Sequence, residues 1–97
     1  MRVLGEVVKV TRSRNFLVKL RSPVRTDLKD MRVVSEDLTL VGVVSDVIGP
    51  VHEPYALVKV VIPLSEASGL VGKRLYVIED RGEMRFIKYP GSSRSSR

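Results

Sequence analysis

No stretch of this chain sustains an apolar period of about 3.6 residues, which argues against a core built from long amphipathic helices. Its apolar residues come instead in short runs of Val, Ile and Leu broken by Gly, Pro, Ser and Asp. Such runs suit a pleated, half-buried surface, because β-branched side chains lose rotamer freedom against a helical turn. Strands are expected at Val3–Val10, Asn15–Leu20, Met31–Val34, Thr39–Val47, Tyr55–Ile62, Arg74–Ile78 and Met84–Lys88. In the second, Phe16, Val18 and Leu20 alternate with Leu17, Lys19 and Arg21, the pattern of a strand with one face in a core. Many short strands with this punctuation predict an all-β fold closed into a barrel, since closure removes exposed sheet edges.

The connections carry their own signals. Asp80-Arg-Gly-Glu83 reads as a tight hairpin turn in which Gly82 takes positive φ, joining the last two strands. Pro63-Leu-Ser-Glu-Ala-Ser-Gly69 has room for one helical turn with Gly69 as its stop. Residues 91–97, Gly-Ser-Ser-Arg-Ser-Ser-Arg, have no apolar content and are expected as a disordered tail behind a single barrel domain over residues 1–90. A chain of 97 residues supports one modest core. It has no cysteine and no apolar run long enough for a membrane span, and its N-terminal stretch is interrupted too early for a signal peptide. The expectation is a cytoplasmic protein with no disulfide, no thiolate metal site and no membrane partner.

The connection between the fourth and fifth runs is unusual. Pro50 and Pro54 fix their own φ near about −65° and push Gly49 and Glu53 toward extended backbone, so the loop is stiff before it meets anything. It carries Val47, Ile48 and Val51 where an ordinary hairpin loop has Asn, Asp or Ser. Two arrangements satisfy these residues: an outward docking peptide that loses little entropy on binding, or a plug folded back under the barrel.

Charge is uneven. Residues 1–25 hold seven basic side chains against Glu6, while residues 26–90 hold eight basic and ten acidic ones; Arg94 and Arg97 restore the overall +6. Arg12, Arg14, Arg21 and Arg25 make the first segment a candidate contact for RNA phosphates or an acidic protein face. Lys and Arg also guard sheet edges against aggregation, so a solvated strand pair is the simpler account of them.

The central block has the pattern Gly-x-Val-x-x-x-Ile-Gly-Pro-Val-x-x-Pro-Tyr-x-x-Val-Lys, matched by Gly42, Val44, Ile48, Gly49, Pro50, Val51, Pro54, Tyr55, Val58 and Lys59. This resembles the signature of the glycine/arginine-rich-domain subunit of H/ACA ribonucleoproteins, which are RNA-guided pseudouridine synthases. The similarity extends more loosely over roughly the first eighty residues. Ser45-Asp46 stands where many members have Asp-Glu, and the long Gly-Arg tails of eukaryotic members are absent, as expected for an archaeal-type minimal core. The resemblance implies a six-stranded barrel of the translation-factor type. It also implies a non-catalytic role in rRNA pseudouridylation and ribosome biogenesis, docking on the catalytic synthase subunit and biasing its substrate-gripping loop to help RNA load and leave. Contact with the guide RNA particle would then be mostly indirect. The docking face expected from the loop is Val47, Ile48, Gly49, Pro50, Val51, Pro54 and Tyr55.

Catalytic chemistry finds little support. His52 is the only histidine, and its neighbour Glu53 would point the other way on an extended loop. Asp46 is the one acid in the central motif; pseudouridine synthases use a single aspartate as nucleophile but need a far larger sheet to hold the base. Gly69-Leu-Val-Gly72-Lys73 lacks phosphate-loop spacing. Phe16, Tyr55, Tyr76, Phe86 and Tyr89 are scattered along the chain and are expected as core or barrel-end residues rather than as an RNA-stacking cluster. No enzyme, cofactor or metal is expected. Three other readings stay open: a related assembly factor, a ribosome-maturation or translation-type barrel that Gly69–Val77 would also suit, and a general basic RNA-binding barrel.

Overall fold

The computed structural model describes residues 2–21, 28–50, 52–79 and 81–89. The short β-branched runs become β1 (Arg2–Val10), β2 (Asn15–Leu20), β3 (Arg32–Val34), β4 (Leu40–Ile48), β5 (Tyr55–Val60) and β6 (Arg74–Val77). All neighbours pair antiparallel, and the sheet closes in the order β1-β2-β5-β4-β3-β6. The all-β closed barrel expected from the sequence is therefore the fold, with the six strands that the resemblance implies rather than the seven runs counted. Bulges between Val3 and Gly5, Val7 and Lys9, Val33 and Val34, and Val44 and Asp46 supply the coiling that so small a barrel needs.

Period-two alternation fills the interior. Phe16 and Val18 of β2, Val33 of β3, Val41 and Val44 of β4, Val58 of β5, and Leu75 and Val77 of β6 are fully buried. One end of the barrel gathers the β1–β2 turn, the β3–β4 turn and the connection after β5, because the N–H of Val60 bonds to the carbonyl of Arg14 and Leu40 pairs with Val34. Ile62 and Ala67 join the core at this end. Ala67 sits in α1 (Leu64–Ser68), the helical turn expected there. The opposite end holds the β4–β5 loop and the end of β2, since Leu20 donates its N–H to the carbonyl of Pro54.

Two of these expectations fail, each for a local reason. No strand forms over Met84–Lys88; Arg81–Phe86 is a 3-10 helix, followed by one parallel bridge between Thr39 and Lys88. Both edges of β6 are already taken, by β1 and β3, so closure leaves no edge for a hairpin partner. Gly82 accordingly lies inside that helix, and the expected hairpin turn does not form among the described residues; Asp80 is outside them. Gly69 ends α1, as expected, in right-handed conformation at φ −71°, and a left-handed turn follows three residues later at Gly72. The tail expected at 91–97 lies outside the described residues.

The 3-10 segment packs on the outside of the barrel. Ile87 joins Val34 and Ile78 in a second apolar cluster, with Leu38, Leu40, Tyr76 and Met84 around them. Of the aromatic residues, Phe16 is buried and Tyr55 and Tyr76 are half-buried. Phe86 is neither core nor barrel-end filling: it is 67% exposed.

Candidate docking surface

The β4–β5 loop divides its residues between the two arrangements that the sequence allows. Val47 is half-buried and packs on the core, and Pro54 is buried, so these two serve the barrel. Ile48, Gly49 and Pro50 face outward, Ile48 at 40% exposure, and Tyr55 is half-buried. Val51 lies outside the described residues. Gly49 has φ +96°, a conformation that L side chains rarely adopt, and a Cβ there would sit 3.0 Å from the carbonyl oxygen of Glu53. The N–H of Glu53 bonds to the carbonyl of Pro50 at 3.0 Å, and the Tyr55 hydroxyl reaches Glu53 Oε1 at 3.5 Å. The loop is thus tied at both shoulders, with its tip toward solvent.

Strand register extends this surface along the barrel wall. Ile48 pairs with Tyr55, Tyr55 with Lys19, and Lys19 with Glu6. The next row runs Asp46, Leu57, Leu17 and Lys9. Since Ala56 and Val58 fill the interior, their neighbours Tyr55 and Leu57 point to the outer face. Leu17 does the same on β2. Leu17 and Leu57 are half-buried on this outer face, and Val8 on β1 is 45% exposed. Leu17 and Leu57 were absent from the expected docking face. Their signal was present in the sequence as apolar residues in the outward phase of strands whose other phase already fills a core.

The bulge between Val44 and Asp46 aims the acid of the motif. Ser45 donates its hydroxyl to the carbonyl of Leu57 at 3.0 Å, and Asp46 Oδ1 accepts the N–H of Val47 at 2.8 Å. Asp46 therefore orders the strand that leads into the loop. His52 is exposed at the loop tip. Among the described residues, no three His, Cys, Asp or Glu side chains come together as a metal site. After Lys73 the chain enters β6 rather than a helix, so Gly69–Lys73 lacks the helix that a phosphate loop requires.

The arginines do not share one edge. Arg12 and Arg14 are exposed in the β1–β2 turn, where Arg14 has φ +64° and its N–H bonds to the carbonyl of Thr11. Arg21 is exposed at the other end, beyond β2, near the Pro54 shoulder of the loop. Arg25 lies outside the described residues. Arg2 pairs with Glu79 at 3.2 Å. At the Arg14 end, the β3–β4 turn is fixed by Asp37, whose carboxylate accepts hydrogen bonds from the Ser35 hydroxyl and the Thr39 N–H. The Ser35 contact first, and those from Thr39 with it, hold the Asp37 carboxyl below its ordinary value of 3.8.

No protein-family model matches the chain, and no curated protein matches its sequence. No helix among the described residues is long and apolar enough to cross a membrane.

Proposed function

We propose that the chain is a non-catalytic subunit of an H/ACA-type RNA-guided pseudouridine synthase particle, docking on the catalytic synthase subunit in the cytoplasm. The observation that carries this reading is the outward apolar strip from Ile48 and Tyr55 through Leu57 and Leu17, continuous with a proline-stiffened loop. A pre-shaped apolar strip of this kind suits a protein partner, because little order remains to be gained on binding. Burying about 300 Å² of it would contribute roughly 7 kcal/mol before association costs. The signature residues Gly42 to Lys59 name the partner by resemblance, and nothing else on the molecule does so. In that setting the subunit binds one position of the synthase's substrate-gripping loop better than another, shifting its population to help RNA substrate load and product leave. The outcome is rRNA pseudouridylation in support of ribosome biogenesis.

Calorimetric titration against a synthase catalytic subunit tests the reading, with Ile48→Asp and Leu57→Asp as the variants and circular dichroism as the folding control. Loss of binding by about a hundredfold or more in folded variants is expected, since each places a charge in a desolvated contact. Full affinity in both folded variants would remove this face from the interface. The translation-type barrel is the second reading, favoured by the closed six-stranded architecture itself. Affinity for ribosomal components with none for a synthase would select it.

A further inference from the structure

We propose that Phe86 is a stacking platform for a base of single-stranded RNA, with Arg85 and Lys88 meeting the adjoining phosphates. The segment is anchored from behind. Ile87 is 8% exposed in the second apolar cluster, while the N–H of Leu40 bonds to the carbonyl of Lys88 at 2.7 Å and the N–H of Lys88 to the carbonyl of Leu38 at 2.8 Å. Pinning Ile87 inward leaves Phe86, one residue earlier, 67% exposed on a fixed support. Tyr89, at 41% exposure, follows on the same segment.

A single exposed apolar side chain is ordinary on any protein surface. What sets this one apart is its electrostatic company. From Arg81 to Arg97 the sequence holds five cations, Arg81, Arg85, Lys88, Arg94 and Arg97, against one acid, Glu83. Outside that segment, Asp37 draws on the charge of Lys88. The eight residues after Tyr89 offer no apolar side chain except Pro90, so they are poor material to cover a phenyl ring. A flat ring flanked by cations fits the alternation of base and phosphate along a single strand, where stacking supplies affinity without sequence preference. Arg85 and Lys88, both exposed and close to Phe86 in the chain, favour a polyanionic strand over an apolar protein face.

Position makes this site independent of the docking face. In the closed order β1-β2-β5-β4-β3-β6, strand β3 lies opposite β2 and β6 lies opposite β5. The strip on β5 and β2 and the 3-10 segment over β3 and β6 therefore occupy opposite walls, and a protein and an RNA strand can be held together. The choice of RNA rests on the proposed function; the stacking face does not, and the two fail separately.

The test is fluorescence anisotropy of the whole chain with a labelled oligouridine of about twelve nucleotides, within the usual site size for such surfaces. The wild type is expected to bind with strong salt dependence. Phe86→Ala should weaken binding about 5- to 100-fold, and Phe86→Tyr should restore it, as a stacked base requires. Arg85→Gln with Lys88→Gln should lower the slope of log affinity against log salt by about 1.4, the value for two phosphate contacts on a single strand. Ile48→Asp should leave RNA binding unchanged. Wild-type affinity weaker than about 100 µM, or equal affinity for Phe86→Ala and wild type, overturns the proposal. So does loss of synthase binding, rather than RNA binding, in Phe86→Ala, which would make the ring a protein contact.

Discussion

Replacing Gly42 by Ala separates the part of the central motif that builds the barrel from the part that faces a partner. Gly42 opens that motif, yet it is buried in β4 opposite Val60 of β5. A Cβ at this position would lie 2.6 Å from Val58 Cγ1 and closer still to the carbonyl oxygen of Lys59. The obstructing oxygen is backbone, so relief requires β4 and β5 to part by about 1 Å, since even half of that forfeits much of a packing contact. Parting strains the pairs of Gly42, Val43 and Val44 with Val60, Lys59 and Val58. Losing two ladder hydrogen bonds costs about 2 kcal/mol net, and forcing a methyl into a packed interior costs about 1–3 kcal/mol more. Alanine recovers about 0.5–1 kcal/mol by restricting the unfolded chain. The net loss is about 2–4 kcal/mol, or roughly 10–25 °C in Tm for a domain of this size. Thermal and urea unfolding followed by circular dichroism measures it. A Tm within about 3 °C of wild type, with an unchanged urea slope, would refute the steric reasoning. Where Gly42→Ala is still folded at low temperature, its synthase affinity should equal that of wild type, because the residue touches only its own barrel.

Two further substitutions test local chemistry. Asp37 has its carboxyl lowered by the Ser35 and Thr39 hydrogen bonds, so its contribution is full above the ordinary value of 3.8 and is lost as pH falls through the lowered folded value. Asp37→Asn should therefore unfold at lower urea than wild type at neutral pH, and the gap should narrow as pH falls below 3.8 and through the lowered folded value. Arg14 holds φ +64° in the β1–β2 turn, where glycine is free of the Cβ clash; Arg14→Gly should raise stability by about 0.5–1 kcal/mol in the same unfolding assay.

The barrel was legible because its code is local. Alternation in Asn15–Leu20 placed Phe16 and Val18 in the core and Lys19 outside, and β1 to β6 each fall within a predicted run or a residue or so beyond one. The seventh run failed because Met84, Phe86 and Lys88 have the right spacing for a strand, but a strand also needs a free edge, and only the pairing of β6 with both β1 and β3 reveals that none remains. Phe86 was misjudged for the same reason: once the segment is a 3-10 turn laid on the barrel, Ile87 takes the inward position and its neighbour is turned out. The loop was half legible. Proline and glycine spacing announced its stiffness, yet which of Val47 and Ile48 faces the core depends on the bulge after Val44, a feature of pairing and not of composition. Leu17 and Leu57 became a surface only when register placed them opposite each other.

Register also divides the basic first segment, with a consequence for how a partner is captured. Arg14 and Arg21 flank β2 at opposite ends of the barrel, seven residues apart along an extended chain, or about 23 Å. At about 0.15 M salt the screening length is about 8 Å, so charges at the Arg12–Arg14 turn are nearly invisible to a partner approaching the β4–β5 loop. Lys19 and Arg21 lie at the loop end, Lys19 paired with Tyr55 in the proposed docking row. If the synthase presents acidic residues around its apolar contact, reversing Lys19 and Arg21 to Glu should slow association at physiological salt and flatten its salt dependence, leaving dissociation nearly unchanged. Reversing Arg12 and Arg14 should leave the same rate within about twofold, and should slow it only near about 0.01 M salt, where screening reaches about 30 Å. Stopped-flow association with the synthase subunit distinguishes the two. Equal slowing by both pairs at about 0.15 M salt would mean that the partner spans the whole length of β2, and the docking face would have to be redrawn along it.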